Sequence, residues 1–257
     1  MIKSTVNFFR SLLSPRRLPI SIWQPEWSLF LDNHVIFYHA LSESNKREFE
    51  RRYIKFLALT TVESRDDDVT DEDNLLIAAS AVIPVWAFPG WQYTNLDTVH
   101  ILPSAFNEEF LCFQPDSTIS GMVGNGSLSG KMVLSREDLH MGFSSNKDRY
   151  NVGIHEFAHL IDMADGKTDG VPSMLMHSRE CSIQWQNFVA YKIDTIESGQ
   201  TTIRPYAATN EAEFFAVTSE FFFEQPATML ERYPALYDSL QRFYKQDVLH
   251  IEKLSAR

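Results

Sequence analysis

Two histidines stand four residues apart, with a glutamate directly after the first, in the stretch NVGIHEFAHLIDMADG, residues 151–166. On an α-helix, residues four apart project only about 40° from each other, so His155 and His159 stack on one face within reach of a single ion. Glu156 lies about 100° further round, where a carboxylate misses the metal's inner shell but reaches a water beside it. His-Glu-x-x-His is therefore the geometry of two metal ligands and a general base. The competing reading is a plain amphipathic helix. Against it, Val152, Ile154, Phe157, Ala158, Leu160 and Ile161 make the segment apolar over most of its circumference, and imidazoles buried on such a helix need partners. Gly166 supplies the stop.

A catalytic zinc generally takes three protein ligands and leaves a position for water, so one more His, Asp or Glu is required. Four positions compete. The metzincin extension needs Gly at 162 and His at 165, where this chain has Asp162 and Asp165; Asp165 is a weak substitute. Glu180 stands at a separation used by thermolysin-like enzymes, but its neighbours SRECS do not resemble their second helix motif. His177 follows the unconstrained loop DGVPSML. Glu213 lies on the apolar helix NEAEFFAVTSEFFFEQP, which can pack on the first helix and offer a carboxylate across the interface. Asn210 and Glu213 also form a capping pair, which would engage the same residue at a helix start. Glu220, two turns on, falls near the same face and is a candidate for orienting a ligand.

The elements around these residues read as α+β. A helix is expected over SESNKREFERRYIKFLALTTV from Ser42, and another over 75–83, running into a strand before residue 91. Strands are expected at 98–103 and 130–138, joined through the glycine-rich SGMVGNGSLSG, which lacks both the dinucleotide fingerprint and the nucleophile elbow. Helices follow at about 148–164, 179–196 and 210–223, and a last helical pattern covers 227–247. Residues 1–42, rich in Pro, Arg and Trp, read as an N-terminal extension, and 43–257 as a single domain.

Composition sets limits on function. A formal charge of −11 disfavours direct nucleic-acid binding, which needs a concentrated basic face. Residues 65–74, RDDDVTDEDN, read as a solvated acidic loop. No calcium loop opens at Asp66 or Asp68, because the required Gly and Glu are missing. Cys112 and Cys181 allow at most one bridge, which favours a reducing compartment. Arg10 and Pro15 break the apolar pieces of the N-terminus, so no signal peptide is read. Pro84 and Pro89 interrupt LLIAASAVIPVWAFPGW before it is long enough to span a membrane. The expected location is the cytoplasm.

The stretches NVGIHEFAHLIDMADGKTDGVP and YAATNEAEFFAVTSEFFF together resemble the Mlc titration factor A family of zinc metallopeptidases, whose catalytic fold is similar to the lethal-factor type of zincin. The likeness extends more loosely from about residue 46 to 247. It implies a zincin-like fold, helices packed on a small mixed β-sheet with an HExxH active-site helix. It makes His155, His159 and Glu213 the Zn²⁺ ligands and Glu156 the catalytic base. Tyr206 matches a tyrosine the family keeps at the start of this segment, and resembles the one that assists the reaction in the lethal-factor type. A histidine found in one branch, in the region reading GMVGNG here, is replaced by Gly124.

The expected activity is hydrolysis of a peptide or protein substrate, as an aminopeptidase among other forms, by metal-activated water with Glu156 as base and Tyr206 hydrogen-bonding the oxyanion. The strand at 131–135 is expected to take an extended peptide onto a sheet edge. The alternative function is a binding protein that sequesters a transcriptional repressor, with the zinc site ancillary. A closed structural metal site is the weakest reading, since no cysteine cluster supplies a fourth ligand.

Overall fold

A computed structural model describes residues 23–65, 67–144, 150–176, 179–199 and 201–255 of the chain. Asp66 and His177 lie outside these, as do residues 1–22 of the expected extension. The chain divides into two compact units: residues 1–83, 94–146 and 151–153 form the first, and residues 84–93, 147–150 and 154–257 the second. No helix among the described residues is long and apolar enough to cross a membrane.

In the first unit, residues 23–42 form α1 (Pro25–His34) and the short α2 (Ile36–His39), which bury Leu31, Val35 and Tyr38. Ser42 caps α3 (Glu43–Leu59) by accepting from the Asn45 N–H. Phe49, Tyr53 and Phe56 recur at helical spacing and are buried together on its inner side. The helix ends short of the expected Val62. The β-branched run at 60–62 leaves it, and Thr61–Ser64 become strand β1.

The acidic stretch also departs from expectation. It is not a solvated loop throughout, because α4 (Asp71–Val82) begins inside it. Thr70 and Asp73 cap that start reciprocally, each side chain accepting from the other's backbone N–H. Asp71, Glu72 and Asp73 occupy the first turn, where the helix dipole favours negative charge. Asp73 is wholly buried, and its carboxylate also meets Arg136 and His140. No strand follows; residues 83–87 are turns, because Pro84 and Pro89 interrupt the apolar run.

Strands β2 (Leu96–Leu102), β3 (Gly121–Val123) and β4 (Gly130–Ser135) complete a mixed sheet in the order β1-β2-β4-β3. β1, β2 and β4 run parallel, with Val62 opposite Val99 and Val99 opposite Met132, and β3 is antiparallel to β4. The architecture is α+β, with helices on a small four-stranded sheet. The glycine-rich segment supplies β3 and then turns through Gly126 and Gly130, both at positive φ. The second expected strand stops at Ser135, whose side chain caps α5 (Arg136–Gly142). Since β4 pairs with β2 on one side and β3 on the other, it has no open edge. The expectation that residues 131–135 add a peptide strand is therefore corrected, as that mode needs unpaired backbone groups.

The second unit is helical. α6 (Val152–Asp162) enters it at Ile154 and ends in a 3-10 turn at Met163–Asp165, with Gly166 left-handed at φ 90°. α7 (Arg179–Glu197) and α8 (Glu211–Glu224) follow. The expected helical pattern from 227 to 247 is divided into α9 (Pro226–Arg232) and α10 (Pro234–Tyr244), and a further helix, α11 (Val248–Ser255), follows beyond it. Pro226 and Pro234 open their helices at the position where a missing N–H costs nothing. α8 is apolar on nearly every side, as suits a central helix. Its Phe214, Phe215 and Phe222 are buried among Trp185, Leu240 and Tyr244.

Candidate metal centre

The site lies within the second unit and is carried by α6, α8 and the short segment before α8. α6 presents His155 and His159 from one face, one turn apart, and both imidazoles are nearly buried. α8 starts at the Asn210 cap, whose side-chain oxygen accepts from the backbone N–H of Glu213. The capping pair foreseen in the sequence thus engages Glu213 through its main chain, and its carboxylate turns toward the imidazoles. Glu213 Oε2 stands 3.2 Å from His155 Nε2 and 3.5 Å from His159 Nε2. The two Nε2 atoms are 3.1 Å apart.

This triangle has the dimensions of a metal site. Ligand atoms held about 2.0–2.1 Å from a tetrahedral ion stand roughly 3.3–3.4 Å from one another, and the three separations bracket that value. Glu213 Oε2 is buried without a directed hydrogen bond. Two imidazole nitrogens and one carboxylate oxygen facing a common point fit a divalent metal of the zinc type.

Two of the other candidates, Asp165 and Glu180, lie outside this group. Asp165 is exposed and accepts from the Lys167 N–H within its own turn, and Glu180 is exposed at the start of α7. Among the described residues, the converging group of histidine and acidic side chains is His155, His159 and Glu213.

Behind this group, Glu220 is fully buried and its Oε1 accepts from His155 Nδ1 at 2.5 Å. That bond turns Nε2 of the same ring toward Glu213, which is the tautomer a ligand needs. The same oxygen accepts from the Arg204 guanidinium, also at 2.5 Å. Arg204 in turn lies over the Tyr150 ring, 5.0 Å from its centroid. Sequence reasoning singled out Glu220 but missed Arg204, since a residue before a 3-10 turn has no fixed spacing to one two turns into the next helix.

Charges in the group shift one another. Burial works against a cation on His155, but Glu220, Glu213 and Glu156 outweigh it and push its pKa up to about 10. Burial also works against ionised Glu213, yet His155 and His159 hold its carboxyl well below the usual range. Glu156, on the same helix and buried, is raised by desolvation, which the two histidines offset only in part. A buried carboxyl with a raised pKa beside a metal group suits a proton acceptor that later becomes a donor. The Tyr206 ring lies 6.2 Å from that of His155, tilted by 32°, and its edge is open to solvent. Burial and the nearby Glu213 raise its phenol, so it remains a hydrogen-bond donor.

Comparison with known proteins adds family information. A family model described as glucose-regulated metallo-peptidase M90 matches residues 12–245. An uncharacterized protein of Synechocystis sp. is 30% identical over 233 residues, covering 86% of this chain and 83% of its own. Mlc titration factor A of Yersinia pestis is 36% identical over 128 residues, 47% of this chain and 46% of that protein, and the same figures hold for Yersinia pseudotuberculosis. The chain thus matches about half the length of these two relatives.

Proposed function

The chain belongs to the glucose-regulated metallo-peptidase M90 family, and from that premise we propose that it is a zinc-dependent peptidase with a zincin-like active site on α6. The observation that carries the proposal is the triangle of His155 Nε2, His159 Nε2 and Glu213 Oε2, 3.1–3.5 Å on a side, with Glu156 buried beside it. Zinc bound there would supply Lewis acidity, polarising a peptide carbonyl and acidifying a water.

The chain's own groups do the rest. Glu156 accepts a proton from the attacking water and returns it to the departing amine. Tyr206, a phenol beside Glu213, donates a hydrogen bond to the oxyanion of the tetrahedral state. Glu220 keeps His155 in the tautomer with Nε2 free, and Arg204 fixes the Glu220 carboxylate from its far side. Peptides or proteins are the substrate class, and cleavage at a free N-terminus is one form the activity takes. With two cysteines in the chain, Cys112 and Cys181, at most one bridge can form, which supports a reducing location, the cytoplasm, as part of the same proposal.

The Glu156→Gln variant tests the assignment. It is expected to retain one equivalent of zinc and to lose hydrolysis of a peptide library by at least 100-fold. Turnover at the wild-type rate would remove Glu156 as base, and wild-type protein that takes up no metal would remove the peptidase.

A second reading comes from relatives bearing the name Mlc titration factor A: binding of a transcriptional repressor. Pull-down of such a repressor by Glu156→Gln as strongly as by wild type would separate binding from hydrolysis.

A further inference from the structure

Asp162 ends α6 and is fully buried, yet none of the chemistry above uses it. One carboxylate oxygen, Oδ2, accepts from the Gly170 N–H at 3.0 Å. The other, Oδ1, is buried without a directed hydrogen bond, and the neighbouring Val171 N–H donates to Asp169 Oδ1 at 3.2 Å. The Gly170 carbonyl in turn accepts from Trp185 Nε1 at 2.7 Å, so both polar groups of this residue are fixed.

Gly170 also touches the other ligand-bearing helix. It adopts φ +67°, and a Cβ built on it would fall 2.2 Å from the Glu211 carbonyl oxygen and 2.9 Å from the Ala212 nitrogen. Only a residue without a side chain brings its backbone this close to the first turn of α8. Glu211 is two residues before Glu213. A short path therefore runs from the end of the helix carrying His155 and His159, through Asp162 and Gly170, to the start of the helix carrying Glu213.

We propose that Asp162 is a positioning residue for the metal group: by holding Gly170 against the first turn of α8, it sets the separation between the imidazole pair and the Glu213 carboxylate. The inference rests on the metallopeptidase reading for its purpose but not for its geometry. A ligand triangle 3.1–3.5 Å on a side tolerates little relative movement of two helices, and residues supporting a metal ligand change affinity by about 10–100-fold when removed. Asp162→Ala leaves the Gly170 N–H without its acceptor. Asp162→Asn retains an acceptor oxygen in the same place.

The test compares zinc affinity by chelator competition for wild type, Asp162→Asn and Asp162→Ala, with crystal structures of the metal-free forms. Asp162→Ala is expected to bind zinc at least tenfold more weakly, with Glu213 Oε2 moved out of reach of the two Nε2 atoms. Asp162→Asn is expected to stay within about threefold of wild type. An Asp162→Ala protein that melts lower but binds zinc with wild-type affinity would overturn the proposal, because its role would then be stability alone. Should that variant fail to fold, Asp162→Ser carries the same readings. If wild type binds no zinc, the peptidase reading falls. Positioning is then decided by the metal-free crystals, where an unmoved Glu213 overturns it and a displaced one upholds it.

Discussion

Replacing Glu220 measures how much the proposed metal group owes to a residue outside the His155, His159 and Glu213 triangle. Its Oε1 sits 2.5 Å from both His155 Nδ1 and the Arg204 guanidinium. Glu220→Gln keeps the volume and an acceptor oxygen, which Arg204 would hold in its present orientation, but removes the charge. A hydrogen bond to an ionised partner contributes about 1.5–3 kcal/mol, against about 0.5–1.5 for a neutral pair. The difference, near 1 kcal/mol, predicts zinc binding weaker by about five- to tenfold. Glu220→Ala loses the whole bond and frees the imidazole to rotate, predicting about 10–100-fold. Arg204 keeps 28% of its side chain exposed and can turn to water, so neither variant leaves a charge stranded in the interior. Affinity is measured by competition with a chromophoric chelator at constant pH, after circular dichroism shows both variants folded. Wild-type affinity in Glu220→Ala, or a larger loss in Gln than in Ala, would refute the argument that Glu220 fixes the His155 tautomer.

Other changes test the scaffold. Gly153, in the first turn of α6, packs so closely on α4 that an added Cβ would lie 2.1 Å from Ser80 Oγ and 2.8 Å from Ser80 Cβ; Gly153→Ala should cost about 1–3 kcal/mol in urea unfolding, and an unchanged midpoint would show that the contact relaxes freely. Asp73→Ala removes a buried cap together with the partner of Arg136 and His140, so a loss of about 2–4 kcal/mol is expected by the same assay. For Asp162, burial raises the carboxyl from 3.8 to about 6, and the Gly170 N–H offsets this only in part. The folded state then binds the proton more tightly than the unfolded one, so stability should fall as pH rises from about 4 to about 6, by roughly 3 kcal/mol. Asp162→Asn should flatten that slope, and a slope unchanged from wild type would show that the carboxyl titrates normally.

The pattern His-Glu-x-x-His was legible because its meaning is local: four residues are about one helical turn wherever the helix sits. The same holds for the Ser42 cap, the α3 face made by Phe49, Tyr53 and Phe56, and the membership of a metallopeptidase family carried by two long motifs. Element ends were less legible. The acidic run read as a loop because its charges repel in water, and it is the Thr70 N–H together with Arg136 and His140 that makes burial of the Asp73 carboxylate tolerable. Strand β4 read as a candidate edge because a sequence does not state which neighbours a strand acquires.

By itself the sequence determined which residue types stand within one turn of one another, and so which imidazoles share a face and which carboxylate follows them. Residue spacing left Glu213 among four candidates and the family resemblance singled it out; tertiary structure placed its carboxylate in the triangle, and it alone decided that Arg204 reaches Glu220 and that Gly170 lies flush with the turn before Glu213. The physical reason is distance along the chain. Contacts between residues separated by many turns depend on how helices pack, and packing is settled by the whole core of buried side chains rather than by any local pattern.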